Sequence, residues 1–195
     1  MIQNATKASK LQFAAAIVAA AVIGIAPAAN AAVVSYVTTL TGPNESPANA
    51  SPGTGLSQVD VDAVANTMRV RVSFSGLLGT TSACHIHCAT AVAGTGTAGV
   101  ATTTPTFAGF PSGATSGTYD NTLDMTLASS YNPSFVTAHT DIAGARAFLF
   151  QAIADGKAYV NLHTSLFGGG EIRGFLEAGT PAVSTSWGRI RSLYR

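Results

Sequence analysis

The chain has 195 residues, of which 47% are hydrophobic, 10% are charged and 20 are glycine, the size of one domain able to bury a core of its own. With Lys7 and Lys10 set aside as part of the leader argued below, eight of the ten basic residues remain against nine acidic ones, a net charge of −1 with histidine neutral. That balance, with the acidic groups scattered apart from Asp60 and Asp62, excludes an electrostatic case for nucleic acid or for a polycation partner.

Residues 1–31 carry the marks of an export signal: basic Lys7 and Lys10, an Ala/Ile/Val run from Leu11 to Ile25 interrupted only by Gln12, and Ala29-Asn30-Ala31 as a small-x-small cleavage site. The run is shorter than the roughly 20 apolar residues that span a bilayer. The expected product starts near Ala32, has no membrane span, and is secreted, extracellular or periplasmic.

Val33 to Leu40 is a β-branched run stopped by Thr41-Gly42-Pro43-Asn44, and Glu45 to Gly55 has a loop composition. Leu56–Val61 and Thr67–Phe74 alternate around the turn at Val64-Ala65-Asn66, with Met68, Val70, Val72 and Phe74 on one face and Arg69, Arg71 and Ser73 on the other. That is the period of a half-buried antiparallel strand. Ala83–Ala89, Val100–Thr106 and Ser116–Thr122 are further expected strands, with a small-residue loop over Ala91–Gly99. Ser134–Ala154 is the single expected helical region, carrying Ile142, Arg146, Leu149 and Ile153 at helical spacing and ending at Gly156. Ala158–His163 and Glu171–Leu176 form a hairpin across Gly168-Gly169-Gly170. Residues 32–178 are thus read as one domain and residues 179–195, with three arginines and no period, as a flexible basic tail.

The histidines carry what chemistry the chain offers. His85 and His87, in Cys84-His85-Ile86-His87-Cys88, share one face of an extended strand about 7 Å apart along the backbone. With His163, at the end of a strand that can pair near the first, they make a ligand set for Cu(II) or Zn(II), with water or His139 in a fourth place. The alternative reading has these rings bonding carbonyls and hydroxyls at a strand end. Cys84 and Cys88 fall on the opposite face. They lie about 13 Å apart on a straight strand, whereas a disulfide needs less than about 7 Å. A disulfide across a sharp bend, two buried thiols, and thiolates joined to a soft metal stay open for them. Glu171 and Arg173 share a strand face as a charge pair that fixes loops. No catalytic triad, phosphate loop or paired-carboxylate pattern stands out, and no enzyme is expected.

Read together, Glu45-Ser46-Pro47, Val70–Leu77 (VRVSFSGL), Ala83–Ala89 (ACHIHCA) and Tyr159–Gly174 (YVNLHTSLFGGGEIRG) resemble the CHRD (chordin) domain in its bacterial exported form. The resemblance implies a mostly β fold, an antiparallel β-sandwich or barrel of superoxide-dismutase-like or immunoglobulin-like type with one short helix. It also implies a secreted binding or matrix-type module whose partner is a protein or an extracellular matrix component. Carried over by motif, Glu45, Asn161, Thr164, Glu171 and Arg173 join His85, His87 and His163 as the distinctive positions. The His-x-His strand is similar to that of copper/zinc superoxide dismutases, but later histidine and aspartate ligands at comparable spacing are missing, and a dismutase is not expected. Cys84 and Cys88 depart from the small residues usual beside His-x-His. Residues 181–195 also lack the acidic residue and hydrophobic helix of a sorting signal, so release is expected rather than anchoring.

Overall fold

The computed structural model describes residues 33–179. The signal segment read at 1–31 and the tail beyond Gly179 lie outside the described residues.

The chain opens with β1 (Val34–Thr41), one turn of 3-10 helix at Gly42–Asn44, β2 (Thr54–Asp62), β3 (Thr67–Ser75) and β4 (Thr81–His87). It continues with β5 (Gly117–Asp124), helices α1 (Pro133–Ala138) and α2 (Ile142–Ala154), β6 (Tyr159–Thr164), β7 (Ile172–Phe175) and β8 (Glu177–Ala178). All strands join one antiparallel sheet in the order β4-β6-β7-β1-β2-β3-β5, with β8 on β1. The expected mostly β antiparallel architecture is what the chain adopts.

Connection length forces this sheet to curl. β3 and β4 are five places apart in the strand order, about 24 Å in a flat sheet at ~4.8 Å per strand. Only residues 76–80 join Ser75 to Thr81, and six residue steps reach about 21 Å at most. The sheet therefore closes on itself as a half-barrel, with the β1-β2-β3-β5 meander facing the β4-β6-β7 triplet. β1 joins the two halves: Thr41 pairs with Arg173, and Val37 with Glu177, in one antiparallel register.

Alternation puts the core inside that curl. Met68, Val70, Val72 and Phe74 of β3 are buried, as are Tyr36 and Leu40 of β1, Val59 and Val61 of β2, and Ile86, Val160, Leu162 and Ile172 of the triplet. Phe110 stacks on Phe74 and Phe107 on Tyr119, filling the space between the halves. Ala145, Leu149, Ala152 and Ile153 of α2 are buried, the i, i+4, i+7, i+8 stripe of a helix with one packed side.

Two local expectations change. The single helical region splits in two because His139 caps α1, Thr140 takes a left-handed φ of 74°, and Asp141 starts α2 by accepting a hydrogen bond from the Gly144 N–H at 2.7 Å. Gly144 fits that corner because a Cβ there would strike the His139 carbonyl. At the other end of α2, Gly156 (φ +67°) ends the helix, and the Lys157 N–H closes back on the Ala152 carbonyl at 2.8 Å.

Val100–Thr106 is not a strand. It makes two isolated bridges, His87 to Val100 and Thr102 to Tyr131, and covers the outer edge of β4 with hydroxyls in place of a regular backbone ladder. The Thr106 Oγ1 accepts from the Cys84 N–H and the Thr102 Oγ1 from the Ile86 N–H, while the Ala101 and Phe107 N–H groups donate to the Ile86 and Cys84 carbonyls. Edge groups that would otherwise template another strand are satisfied in this way. Among the described residues no helix is long and apolar enough to cross a membrane.

Candidate metal centre

The site lies on the face of the β4-β6-β7 triplet turned away from the core. Cross-strand register builds it: Ala83 pairs with His163, His85 with Asn161 and His87 with Tyr159, and Asn161 and Tyr159 pair in turn with Arg173 and Phe175. Residues directly opposite share a face, so the two histidines of β4, His163 and Asn161 of β6 and Arg173 of β7 stand side by side. Loops covering this face bury them.

Each histidine uses one ring nitrogen to fix itself. Nε2 of His85 donates to the Pro105 carbonyl at 2.8 Å, Nδ1 of His87 to the Ala98 carbonyl at 2.9 Å, and Nδ1 of His163 to the Gly168 carbonyl at 3.0 Å. A carbonyl only accepts, so each bond sets the tautomer and leaves a bare lone pair on the other nitrogen. Those nitrogens, Nδ1 of His85 and Nε2 of His87 and His163, are buried and have no partner.

Each ring offers one nitrogen to a group in which all three lie within 4.8 Å of one another. Three such points fall within about 2.8 Å of a common centre, and a modest closing of the rings brings that to the 2.0–2.1 Å of metal–imidazole bonds. Among the described residues no aspartate, glutamate or cysteine belongs to the group. One nitrogen of each ring anchors to backbone, as the alternative reading expected, and the other is left without a partner. His139 is elsewhere, packed on Phe135 and Phe148.

Electrostatics keep the rings neutral. Burial, then repulsion from His163 and His87, lowers His85 to about 4. Burial also lowers His87 to about 4, against the bond to Ala98 and with help from His163 and Arg173. His163 is lowered by burial against its bond to Gly168. For a histidine whose folded pKa lies below the unfolded value near 6.5, the unfolded chain takes up protons that the fold refuses. The histidine contribution to the stability of the metal-free protein is therefore expected to be full above about pH 6.5 and to fall between about 6.5 and 4, offset only in part by Glu45, whose raised pKa favours the fold as pH drops below about 7. Urea midpoints measured across that range check this, and a flat profile would contradict it.

Around the three rings sit the remaining motif residues. Tyr159 stacks on His87, centroids 4.8 Å apart and planes 5° from parallel, and its hydroxyl meets the Ala98 backbone. Periodicity did not single out Tyr159; its sequence trace is its place at the head of the motif Tyr159–Gly174, two residues before Asn161. The anchoring carbonyls of Ala98, Pro105 and Gly168 leave no trace at all, since any residue supplies a carbonyl.

Glu171 is fully buried and accepts four hydrogen bonds, from Ser51 Oγ (2.6 Å), the Leu78 and Gly79 N–H groups (2.6 and 3.0 Å) and Thr164 Oγ1 (2.7 Å). Burial alone would raise its pKa, but these donors outweigh it and hold the carboxyl below its ordinary value. Glu171 and Arg173 both fix loops, but not as a pair with each other. Arg173 approaches Glu45 instead, at 3.7 Å, and donates to the carbonyls of Asn44 and Gly96. Burial pushes Glu45 up to about 7 against the pull of Arg173 and the Ser46 N–H. Asn161 donates to the Gly169 carbonyl.

Cys84 and Cys88 are free, buried thiols on the core face of the strand. Burial raises both, Cys88 to about 12.

The model of the CHRD domain matches residues 36–176, and neither a curated protein nor a solved structure matches the chain. The matched span takes in the three histidines and every other motif residue around them, and covers most of the chain: this protein belongs to the CHRD domain family.

Proposed function

We propose that this CHRD domain binds one divalent transition-metal ion, Cu(II) or Zn(II), through His85, His87 and His163. One observation carries the reading: each of three tautomer-fixed imidazoles leaves a buried, unpartnered nitrogen, and the three rings bring one nitrogen each to within 4.8 Å of one another. A buried acceptor without a partner costs about 1–3 kcal/mol, and three of them in one place are most simply accounted for by a cation that accepts all three. An all-imidazole set suits copper and zinc, and at equal availability copper binds more tightly.

The backbone bonds at the far nitrogens are the outer support that orients metal-bound histidines. Loops reach the site from three places in the chain, at Ala98, Pro105 and Gly168, so an ion held there ties all three to the sheet. The setting proposed is that of an exported, non-enzymatic binding or matrix-type module, released from the cell and serving a protein partner or a matrix component. A module without metal would leave the three nitrogens unexplained.

Metal content tests this directly. Full-length protein recovered from its native export route without chelators or affinity histidines is expected to hold close to one copper or zinc per chain by mass spectrometry, and His163→Ala less than a tenth of that. His163 suits the test because it is the least buried of the three. Folded protein that takes up neither metal when both are supplied would sink the proposal.

A further inference from the structure

We propose that the cleft of about 610 Å³ lined by Thr38, Thr39, Asn44, Thr95, Arg173 and Phe175 binds a uronic-acid unit of an acidic polysaccharide, with Arg173 receiving the carboxylate. The site is separate from the three histidine nitrogens and does not depend on the ion proposed for them.

Arg173 is the reason to look for an anion here. It is 5% exposed, and buried guanidinium groups are normally matched by a hydrogen-bonded carboxylate. Its two hydrogen bonds go instead to neutral carbonyls, from Nε to Asn44 and from Nη1 to Gly96. Glu45, the acid beside it, stands 3.7 Å from Nε without a hydrogen bond. Burial also raises Glu45 to about 7, so near neutral pH it gives up part of its charge. Of the five guanidinium N–H groups, three remain, on Nη1 and Nη2, the edge that takes a carboxylate in two parallel bonds. Arg173 is one of the residues that line the cleft.

The remaining lining selects the kind of anion. Three threonine hydroxyls and the Asn44 amide can exchange hydrogen bonds with sugar hydroxyls, while Phe175 and exposed Leu56 offer an apolar wall for the C–H face of a pyranose ring. Arg173 is already held over the Tyr159 and Phe175 rings, 4.9 and 5.7 Å from their centres, so little of its freedom is lost on binding. The volume is that of a small-molecule site. Glu177 also lines the cleft and is exposed. Its charge opposes a carboxylate ligand, which limits the affinity and supplies a control.

Titration of the full-length, chelator-treated protein with sodium glucuronate, glucose and sodium acetate, followed by NMR, tests the assignment. Glucuronate is expected to shift the Tyr159 and Phe175 ring resonances to saturation, at least tenfold more tightly than glucose or acetate. Glu177→Gln is expected to tighten it about two- to fivefold, and Thr95→Glu, on an exposed loop position, to weaken it more than tenfold. Equal affinity for glucuronate and glucose would show that no charge is read, and equal affinity for acetate that no sugar is read. Either result, or indifference to Thr95→Glu, would overturn the proposal.

Discussion

Glu171→Gln is expected to destabilise the domain by about 3–5 kcal/mol, read as a fall in the urea midpoint with an unchanged slope. The carboxylate is fully buried and both its oxygens are occupied: Oε1 takes Ser51 Oγ and the Leu78 N–H, Oε2 the Gly79 N–H and Thr164 Oγ1. Glutamine keeps one acceptor and turns the other into a donor facing two donors. Two charge-assisted bonds are lost at about 1.5–3 kcal/mol each. The bonded groups come from the loop before β2, the β3–β4 connection and β6, so one side chain holds three segments that have no ladder between them.

Acid should act on the same group. Its folded pKa lies below the unfolded value near 4.3, so the stabilisation is complete above that pH and is lost as pH falls through the folded pKa. The glutamine variant should lack that part of the acid sensitivity, while the histidine part between 6.5 and 4 persists. A loss under 1 kcal/mol in Glu171→Gln would mean that the loops hold their places without it.

Copper or zinc is expected to raise the stability of the wild-type protein by about 2.7 kcal/mol when the free ion is a hundred times its dissociation constant. For a domain of this size that is a rise of roughly 5–10 °C in Tm. His163→Ala should abolish the increment and yet leave the metal-free protein within about 1 kcal/mol of wild type. Its ring is only partly buried and contributes one carbonyl bond in the absence of an ion. A wild-type Tm that ignores both metals, or a variant that keeps the increment, would contradict this. Magnesium serves as a control, since three imidazoles offer no oxygen ligand to a hard cation.

What could be read from the sequence was local or came through the family motifs. Met68, Val70, Val72 and Phe74 were assigned to one face by period alone, and the hairpin they belong to forms as expected. His85 and His87 shared a face for the same reason. His163 entered on its ligand type and its place at the end of a strand that could pair near the first, since no periodicity says that β6 lies along β4. Pairing between strands 70 residues and more apart is decided by the closed core, not by either strand. The threonines at 102, 103, 104 and 106 looked like strand residues because hydroxyl-rich β-branched runs usually are. Here the hydroxyls of Thr102 and Thr106 take the place of the ladder itself. Arg173 was matched with Glu171 by proximity in sequence, yet Glu171 is already saturated by four neutral donors and Arg173 turns toward Glu45.

The union of the first strand with the last has a consequence for the order of folding. The β2–β3 hairpin closes across four residues and β1 pairs with nearby β2, whereas the other edge of β1 must wait for residues 172–178 and β4 for residues 159–164. Joining such distant segments carries the larger entropic cost and comes late. His85 and His163 therefore meet only once nearly the whole domain has been assembled. The ion proposed for the histidines would find a finished receptacle and would not serve as a seed for folding, so the metal-free chain is expected to reach its shape unaided.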